Sequence, residues 1–480
     1  DAEHNVLIEV PRYVDQGKVT AETLGASAQI LEINSKTGLY PLFVAYSIFR
    51  SKCSAYSEEQ LTDELQEKLW ADTVKENVYV ICKTPMAKSI TKRTLVGFND
   101  LIVNAHYFDD LINMMKNKPK QFTDRVLKPS YWKKGGVKEM KFDAVVGNPP
   151  YQESISSDTD NASLGKQLFP FFIINSIGLH PKYVSLITPS RWFTGDAQDK
   201  SFIKLREFIK ENNHILKLYN YKDEKELFSN VEIKGGINYF LFKDGYNGQV
   251  EFVNCIDGER KSTIRNLFED GMDIIISNSD DFPILSKVKS VDFVPLTQIT
   301  TGRNAFGIIG KPSNVEKVSS AQPFDGCCEL RCKGNEIRYI SRDIVKKNID
   351  IFEKYKVFIS KSAGNPNSDF KVIGMPYVGE PFSACTDSLI PIGKFDTMKE
   401  ASHLKKYLKT KFLRFLVSIL KTSQNVYQNV YQFVPLQDFT TKSDIDWSKS
   451  VSVIDSQLYA KYGLTDEEIT YIEEKIKPME

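Results

Sequence analysis

Six short apolar runs, separated by segments of helical character, constrain the first half of this chain more than any other feature. They are Ala28–Asn34 (AQILEIN), Asn77–Cys82 (NVYVIC), Leu101–Phe108 (LIVNAHYF), Phe142–Gly147 (FDAVVG), Lys182–Pro189 (KYVSLITP) and His214–Tyr221 (HILKLYNY). Between them, the turn Ser35–Gly38 leads into an apolar helix from Leu39 to about Phe49. Glu58 to about Lys75 has amphipathic helical spacing, and Pro85 suits the first turn of a third helix. Strands alternating with helices predict an α/β fold: a parallel, doubly wound Rossmann-like sheet with helices on both faces. After Gly235 and Gly236 the pattern changes. INYFLFKD and GQVEFVN, joined by Asn247-Gly248, predict an antiparallel hairpin.

At 480 residues the chain is too long for one ordinary domain. The change of pattern sets a first domain of residues 1–280, its end falling between about Asp270 and Ser290, and a second, mixed α+β domain of residues 281–480. In the second, KVFISKSAG and the stretch around SLIPIG read as strands. Glu400 to about Ser423 reads as one long basic amphipathic helix, and Asp466 to about Lys477 as a closing helix.

Hydrophobic content of 41% and charged content of 26% are those of a soluble globular protein. No apolar run reaches the length of a membrane span; Leu168–Leu179 is interrupted by Pro170, Asn175 and Ser176. The chain opens at Asp1 without a methionine, as a fragment or a processed chain would. Seven cysteines, an odd number, do not form a secreted disulfide framework, and a reducing cytoplasm is expected. Cys327, Cys328 and Cys332 lack the paired spacing of a zinc ribbon and have no nearby His, so no metal site is expected. The net charge of +1 is uninformative, but its distribution is not. Residues 331–421 hold 18 basic against 9 acidic groups, and residues 111–141 hold 9 against 2. Such local basic surfaces suit a polyanion as well as they suit ordinary solvated helices.

The most specific string is VVGNPPYQE, with Asn148, Pro149, Pro150 and Tyr151 directly after a buried strand. In open α/β sheets, ligands bind outside the carboxyl ends of strands. The exocyclic amine of a purine is a poor nucleophile, because its lone pair is conjugated with the ring. Two acceptors on its N–H groups would draw the nitrogen toward tetrahedral geometry. The Asn148 side-chain oxygen and the Pro149 carbonyl can supply them, while the prolines stiffen the turn. Tyr151 offers a flat face for a base rotated out of a duplex.

On these residues the chain resembles the adenine-specific DNA methyltransferases, specifically the gamma-order class of type IIG, type I and type ISP restriction–modification systems. Tyr183–Phe193 (YVSLITPSRWF) resembles the strand and loop after that family's catalytic motif, and Glu226–Phe242 its later double-glycine strand. The stretches TGRNAFG, KYLKTKFLRFLV and VYQFVPLQDFT resemble its recognition domains. The resemblance implies methyl transfer from S-adenosylmethionine to adenine N6 of a base flipped from double-stranded DNA. It also implies nuclease or helicase domains elsewhere in the same polypeptide.

In ILEINSKTG it places Glu32 at the acidic cofactor position, Gly38 at the last glycine and Lys36 at an earlier one, with Asn34 between. Cys82 or Thr84 falls where a carboxylate usually holds the ribose, and His106 or Asp109 where an Asp usually meets the cofactor's adenine. Lys133, Lys134, Lys405, Lys406 and Arg414 are candidate phosphate contacts. The departures from the cofactor motifs favour a second reading, a non-catalytic DNA-reading module of a larger restriction enzyme. No Gly-x-x-x-x-Gly-Lys-Ser/Thr loop is present, which excludes a nucleotide-driven motor of that type. Asp257, Glu259 and Lys261 approximate a nuclease constellation but read as a loop.

Overall fold

The computed structural model describes residues 21–152, 167–195, 200–228, 233, 235–268, 272–363, 372–421 and 425–479. Ser229–Glu232 and Lys234 of the expected double-glycine strand, Gly364 of KVFISKSAG, and Thr422–Ser423 lie outside them. The chain divides into two compact units, Asp1–Ile275 and Ile276–Glu480.

In the first unit the described residues form β1 (Ile30–Ser35), α1 (Leu39–Cys53), α2 (Asp63–Glu76), β2 (Val78–Cys82), α3 (Pro85–Val96), β3 (Asn104–Tyr107), α4 (Leu111–Asn117), α5 (Pro119–Val126) and β4 (Ala144–Gly147). These are followed by α6 (Phe169–Ile177), β5 (Tyr183–Pro189), α7 (Ser201–Glu211), β6 (Ile215–Tyr221), β7 (Ile237–Lys243), β8 (Val250–Ile256) and β9 (Glu259–Arg265). All nine strands join one sheet in the order β3-β2-β1-β4-β5-β7-β6-β8-β9.

β1 and β2 are buried along their whole length, because helices cover both faces. Val44, Ala45, Ile48, Val74, Ala87 and Leu95 pack with Ile30, Val78 and Val80 on one side. Phe122, Phe169, Phe172, Phe202 and Leu205 pack with Leu31, Tyr79 and Ile81 on the other. At the amino ends, Asp143 ties three strands. Its carboxylate accepts from Gln29 N at 2.9 Å and pairs with Lys182 at 2.9 Å, so β1, β4 and β5 start in register. Local signals place the helices as well. The Thr62 side chain accepts from Leu65 N to cap α2; Thr84 accepts from Ala87 N to cap α3, with Pro85 in the first turn.

Two expectations about this sheet are corrected. It is mixed rather than parallel, since β7 runs antiparallel to β5 and β6 and lies between them. For the same reason β7 and β8 do not form the hairpin. Both edges of β7 are occupied, and β8 pairs in parallel with β6. The true hairpin is β8–β9, through Asp257 and Gly258 at φ +53° and +80°, the positive values a two-residue I′ turn demands. Glu259 and Lys261 therefore lie on a strand, not in a loop.

The second unit contains α8 (Asp281–Lys289), α9 (Pro312–Val318), β10 (Cys327–Arg331), β11 (Ile337–Ser341), α10 (Ile349–Phe352), β12 (Tyr355–Ser360), β13 (Tyr377–Gly379), β14 (Ser383–Cys385) and β15 (Leu389–Phe395). It closes with α11 (Met398–Lys409), α12 (Lys411–Leu420), α13 (Val451–Lys461) and α14 (Asp466–Lys475). Two three-stranded sheets, β11-β10-β14 and β13-β12-β15, carry it. Cys328 and Cys332 are buried in its apolar core.

The expected long helix is two helices. Thr410 leaves helical geometry at φ −61°, ψ 147°, and its side chain accepts from Leu413 N. The Asp455 carboxylate takes Lys411 N at 3.0 Å and Phe412 N at 2.9 Å, capping the new start from outside. The second half of what reads as one long basic amphipathic helix turns inward, with Phe412, Leu413, Phe415 and Leu416 fully buried. Among the described residues no helix is long and apolar enough to cross a membrane.

Candidate active site

The strand order reverses between β1 and β4: the chain steps from β1 to β2 and β3 on one side, then returns to β4 and β5 on the other. Such a switch point opens a crevice at the carboxyl ends of the two central strands. Asn34 near the end of β1 and Asn148 after β4 meet there, with Asn34 Nδ2 donating to the Asn148 carbonyl at 2.8 Å.

This approach depends on Gly147. A Cβ at that position would stand 2.4 Å from the Ile33 carbonyl oxygen, closer than any side chain tolerates. Glycine thus lets the end of β4 lie against the end of β1 and delivers Asn148–Tyr151 to the crevice. Pro149 is buried, while Asn148, Pro150 and Tyr151 are half-buried. The Tyr40 and Tyr151 hydroxyls both lie against the Asn148 side chain, and burial raises both of their pKa values. Tyr40, on the first turn of α1, was not evident as a site residue. Its only signal is an aromatic residue two positions after Gly38.

Glu32 is 3% exposed, and its Oε2 has no hydrogen-bond partner among the described residues; the same is true of Asn34 Oδ1. Burial pushes the Glu32 carboxyl up to about 8, against the opposing effect of the Ser35 side chain. Among the described residues, two buried acceptors without donors therefore sit near the Asn148–Tyr151 turn. Lys36 is exposed. Gly38 adopts φ +80°, and a Cβ there would come 2.9 Å from Thr91 Cα, so this glycine is required by the contact between α1 and α3.

At the end of β2 the expected cofactor contact is corrected. Cys82 is fully buried, with its Sγ 3.7 Å from Thr91 Oγ1 and its thiol pushed up to about 11 by burial. It packs into the core between sheet and helix, because β2 is covered there by α3. Thr84 is exposed, and its hydroxyl is occupied as the α3 cap. Neither position supplies a carboxylate.

On β3, the His106 ring lies 4.3 Å from that of Tyr131 at 31° and meets Trp132 edge-on at 5.0 Å. Burial, together with Lys88, Lys133 and Arg125, lowers its pKa to about 4, so it is neutral at physiological pH. Asp109 is exposed at the start of the following loop.

The expected phosphate contacts divide. Arg414 is corrected outright: it is 1% exposed, with Nη1 donating to the Lys477 carbonyl at 2.7 Å and Nε to that of Thr410 at 3.2 Å. It sits on α12, whose apolar face is core. Lys406 donates to the carbonyls of Trp447, Ser448 and Lys449, and Lys134 pairs with Glu76 at 2.7 Å. Both are committed within their own units. Lys133 is exposed and Lys405 half-buried, and neither has an ion pair or side-chain hydrogen bond among the described residues.

Comparison with known proteins places this site in context. An "Uncharacterized adenine-specific methylase" of Mycoplasma pneumoniae is 32% identical over 180 residues, which cover 35% of this chain and 41% of the relative. The chain thus spans about two fifths of the curated relative it matches. A nuclease-deletion mutant of the type ISP restriction–modification enzyme LlaGI, solved with a DNA substrate mimic, aligns over 84% of this chain and 43% of its own length, at 11% identity and a TM-score of 0.49. The type IIL restriction–modification enzyme MmeI, solved in complex with DNA, aligns over 95% of this chain and 68% of its own, at 9% identity and a TM-score of 0.46. Residues 76–228, which run from the end of α2 through β4 and the Asn148–Tyr151 turn to the loop after β6, match the family described as Eco57I restriction-modification methylase.

Proposed function

We propose that this chain is the methyl-transferring and DNA-reading part of a restriction–modification enzyme, acting at adenine N6 of duplex DNA with S-adenosylmethionine as methyl donor. The observation that carries the reading is the seating of Asn148–Tyr151 against Asn34 at the switch point, which Gly147 permits. The match to the Eco57I restriction-modification methylase family across this turn, and the adenine-specific methylase relative, support it.

Asn148 and the Pro149 carbonyl accept the two N–H groups of the adenine amine and hold its nitrogen in position for attack. The fused prolines keep those acceptors fixed, so little reorganisation is needed at the moment of reaction. N6 of a paired adenine is inaccessible to them, so the base must leave the stack, and Tyr151 supplies a face to receive it. Once nitrogen is alkylated its excess proton passes to solvent, which removes any need for a strong base.

The donor fits the residues present at its amino-acid end. Glu32 Oε2 and Asn34 Oδ1 lack donors among the described residues, and an ammonium group, which brings three, would also favour the ionised form of Glu32. The His106–Tyr131 ring pair offers a surface for its adenine. When bound, S-adenosylmethionine supplies the electrophilic methyl group. We assign DNA recognition to the second unit, with Lys405 as a phosphate contact there, and Lys133 as a phosphate contact of the first unit.

The test is Asn148→Ala, followed by transfer of labelled methyl onto DNA. Transfer should fall at least a hundredfold with DNA affinity within about twofold of the parent, the scale on which removing one oriented catalytic hydrogen-bonding group acts. Undiminished transfer in the variant would refute the assignment of Asn148. A second reading, a DNA-reading module without catalysis, is favoured by the sealed Cys82 and the missing carboxylate at the end of β2. Calorimetric titration of S-adenosylmethionine into the chain separates the two, since only the catalytic reading requires binding.

A further inference from the structure

The second unit holds a cavity of about 410 Å³ that the methyl-transfer reading does not use. Lys311 lines it from the loop before α9, Lys333 from the β10–β11 turn, Lys361 from the end of β12, Tyr377 from the start of β13, and Asp387 and Ser388 from the β14–β15 connection. Both sheets of the unit therefore contribute to its walls.

Its charge is uneven. Asp387 accepts from Gly310 N at 2.7 Å and from Lys361 Nζ at 2.9 Å. Burial would raise the Asp387 pKa, but Lys361 and Gly310 outweigh it and hold the carboxyl below its ordinary range. Asp387 and Lys361 thus neutralise each other in the wall. Lys311 and Lys333 are exposed on its rim, and neither has an ion pair among the described residues. The cavity therefore presents two free cations on its rim and an aromatic ring with hydroxyls inside. Its volume lies in the range that encloses a small organic ligand, more than an inorganic anion requires.

We infer that this cavity seats one nucleotide of a DNA strand, its phosphate between Lys311 and Lys333 and its sugar and base along Tyr377 and Ser388. The inference rests on the reading of the second unit as DNA-binding and deepens it. A phosphate anchored by ammonium groups gives affinity and register, and the polar wall is what a base edge can be read against.

The test compares the full chain with K311E/K333E, and with K399E/K442E, a charge-matched control at exposed lysines of the same unit. Binding of a labelled DNA duplex is followed by anisotropy across a salt series. K311E/K333E should weaken binding at least tenfold and reduce the slope of log K against log salt by about 1, the loss of one phosphate contact. Tyr377→Ala should weaken binding by about 5-fold or more, and a free 5′-mononucleotide should compete weakly with DNA on the parent but not on K311E/K333E.

Equal weakening in the control would show that net charge alone acts, and would overturn the site. Parent-like DNA binding by K311E/K333E would overturn the site while leaving the DNA-binding reading intact. If the mononucleotide binds the parent but duplex binding ignores all three variants, the cavity serves free nucleotides and the inference is overturned. Absence of DNA binding by the parent would overturn both the site and the reading it rests on.

Discussion

Glu32 lies inside β1, between Val80 of β2 and Val146 of β4, with one carboxylate oxygen unpartnered. Ionising it there is costly, and burial raises its pKa from the ordinary 4.5 to about 8. Between those values the folded chain keeps a proton that the unfolded chain has released. Stability must therefore fall as pH rises through this window, and the loss is complete above about pH 8. At about 1.4 kcal/mol per pH unit the full loss would approach 5 kcal/mol, but water penetration and relaxation around a buried carboxylate reduce it to about 2–4 kcal/mol. Glu32→Gln keeps the shape and removes the charge. The variant should match the parent near pH 4.5 and exceed it by about 2–4 kcal/mol at pH 8.5, a rise of roughly 4–8 °C in the melting temperature for a unit of this size. Melting curves of both proteins from pH 4.5 to 9 at constant ionic strength provide the comparison. A difference that does not change with pH would mean that Glu32 is ionised throughout the folded range, and the argument from its orphaned oxygen would fail.

Two further substitutions probe the strand ends. Gly147→Ala places a methyl 2.4 Å from the Ile33 carbonyl and must part β4 from β1. It should cost about 1–3 kcal/mol and, by shifting Asn148, at least tenfold in methyl transfer; parent-like transfer would show that the strands have slack. Cys82→Asp buries a carboxylate beside Thr91 and should lower stability by about 2–4 kcal/mol in urea unfolding at pH 7.5. If calorimetry instead found tighter S-adenosylmethionine binding with stability unchanged, Cys82 would have to face the cofactor crevice.

The parallel half of the sheet was legible because β1, β2 and β4 are short, mostly buried and largely apolar segments set between helical ones. The antiparallel half was not, because pairing is decided at strand edges, which a single strand's sequence does not record. INYFLFK would satisfy β8 or the β5–β6 pair equally well; only the occupation of both its edges excludes the Asn247-Gly248 hairpin. The Asp257-Gly258 turn carried the right signal but was flanked by the charged run Glu259–Lys261, which lacks strand-like alternation of apolar residues. Likewise, residue spacing and charge made residues 400–423 one long basic amphipathic helix. They could not register that Thr410 and Asp455 start a second helix there, with an apolar face wide enough to bury even Arg414.

Within the site, legibility followed the kind of interaction each residue makes. The place of Asn148–Tyr151 at a strand end could be read directly, because the chemistry proposed for it is carried by consecutive residues on one turn. The proposed cofactor side draws on three strands, and there identity alone misleads. Gly38 has the residue type expected of a ligand-facing glycine, yet it faces Thr91 and serves the packing of two helices. Cys82 occupies the expected strand position, yet its side chain turns into the core. Gly147 drew attention only as the end of a strand, but its missing side chain is what brings Asn34 to the Asn148 carbonyl. The acceptors left without donors, Glu32 Oε2 and Asn34 Oδ1, are a property of three-dimensional accounting that no motif contains. They are the strongest physical reason to expect a donor-bearing ligand at the switch point, because an unsatisfied buried acceptor costs about 1–3 kcal/mol. A bound ammonium would relieve that cost at both positions, and so supply part of the affinity that the absent ribose carboxylate cannot.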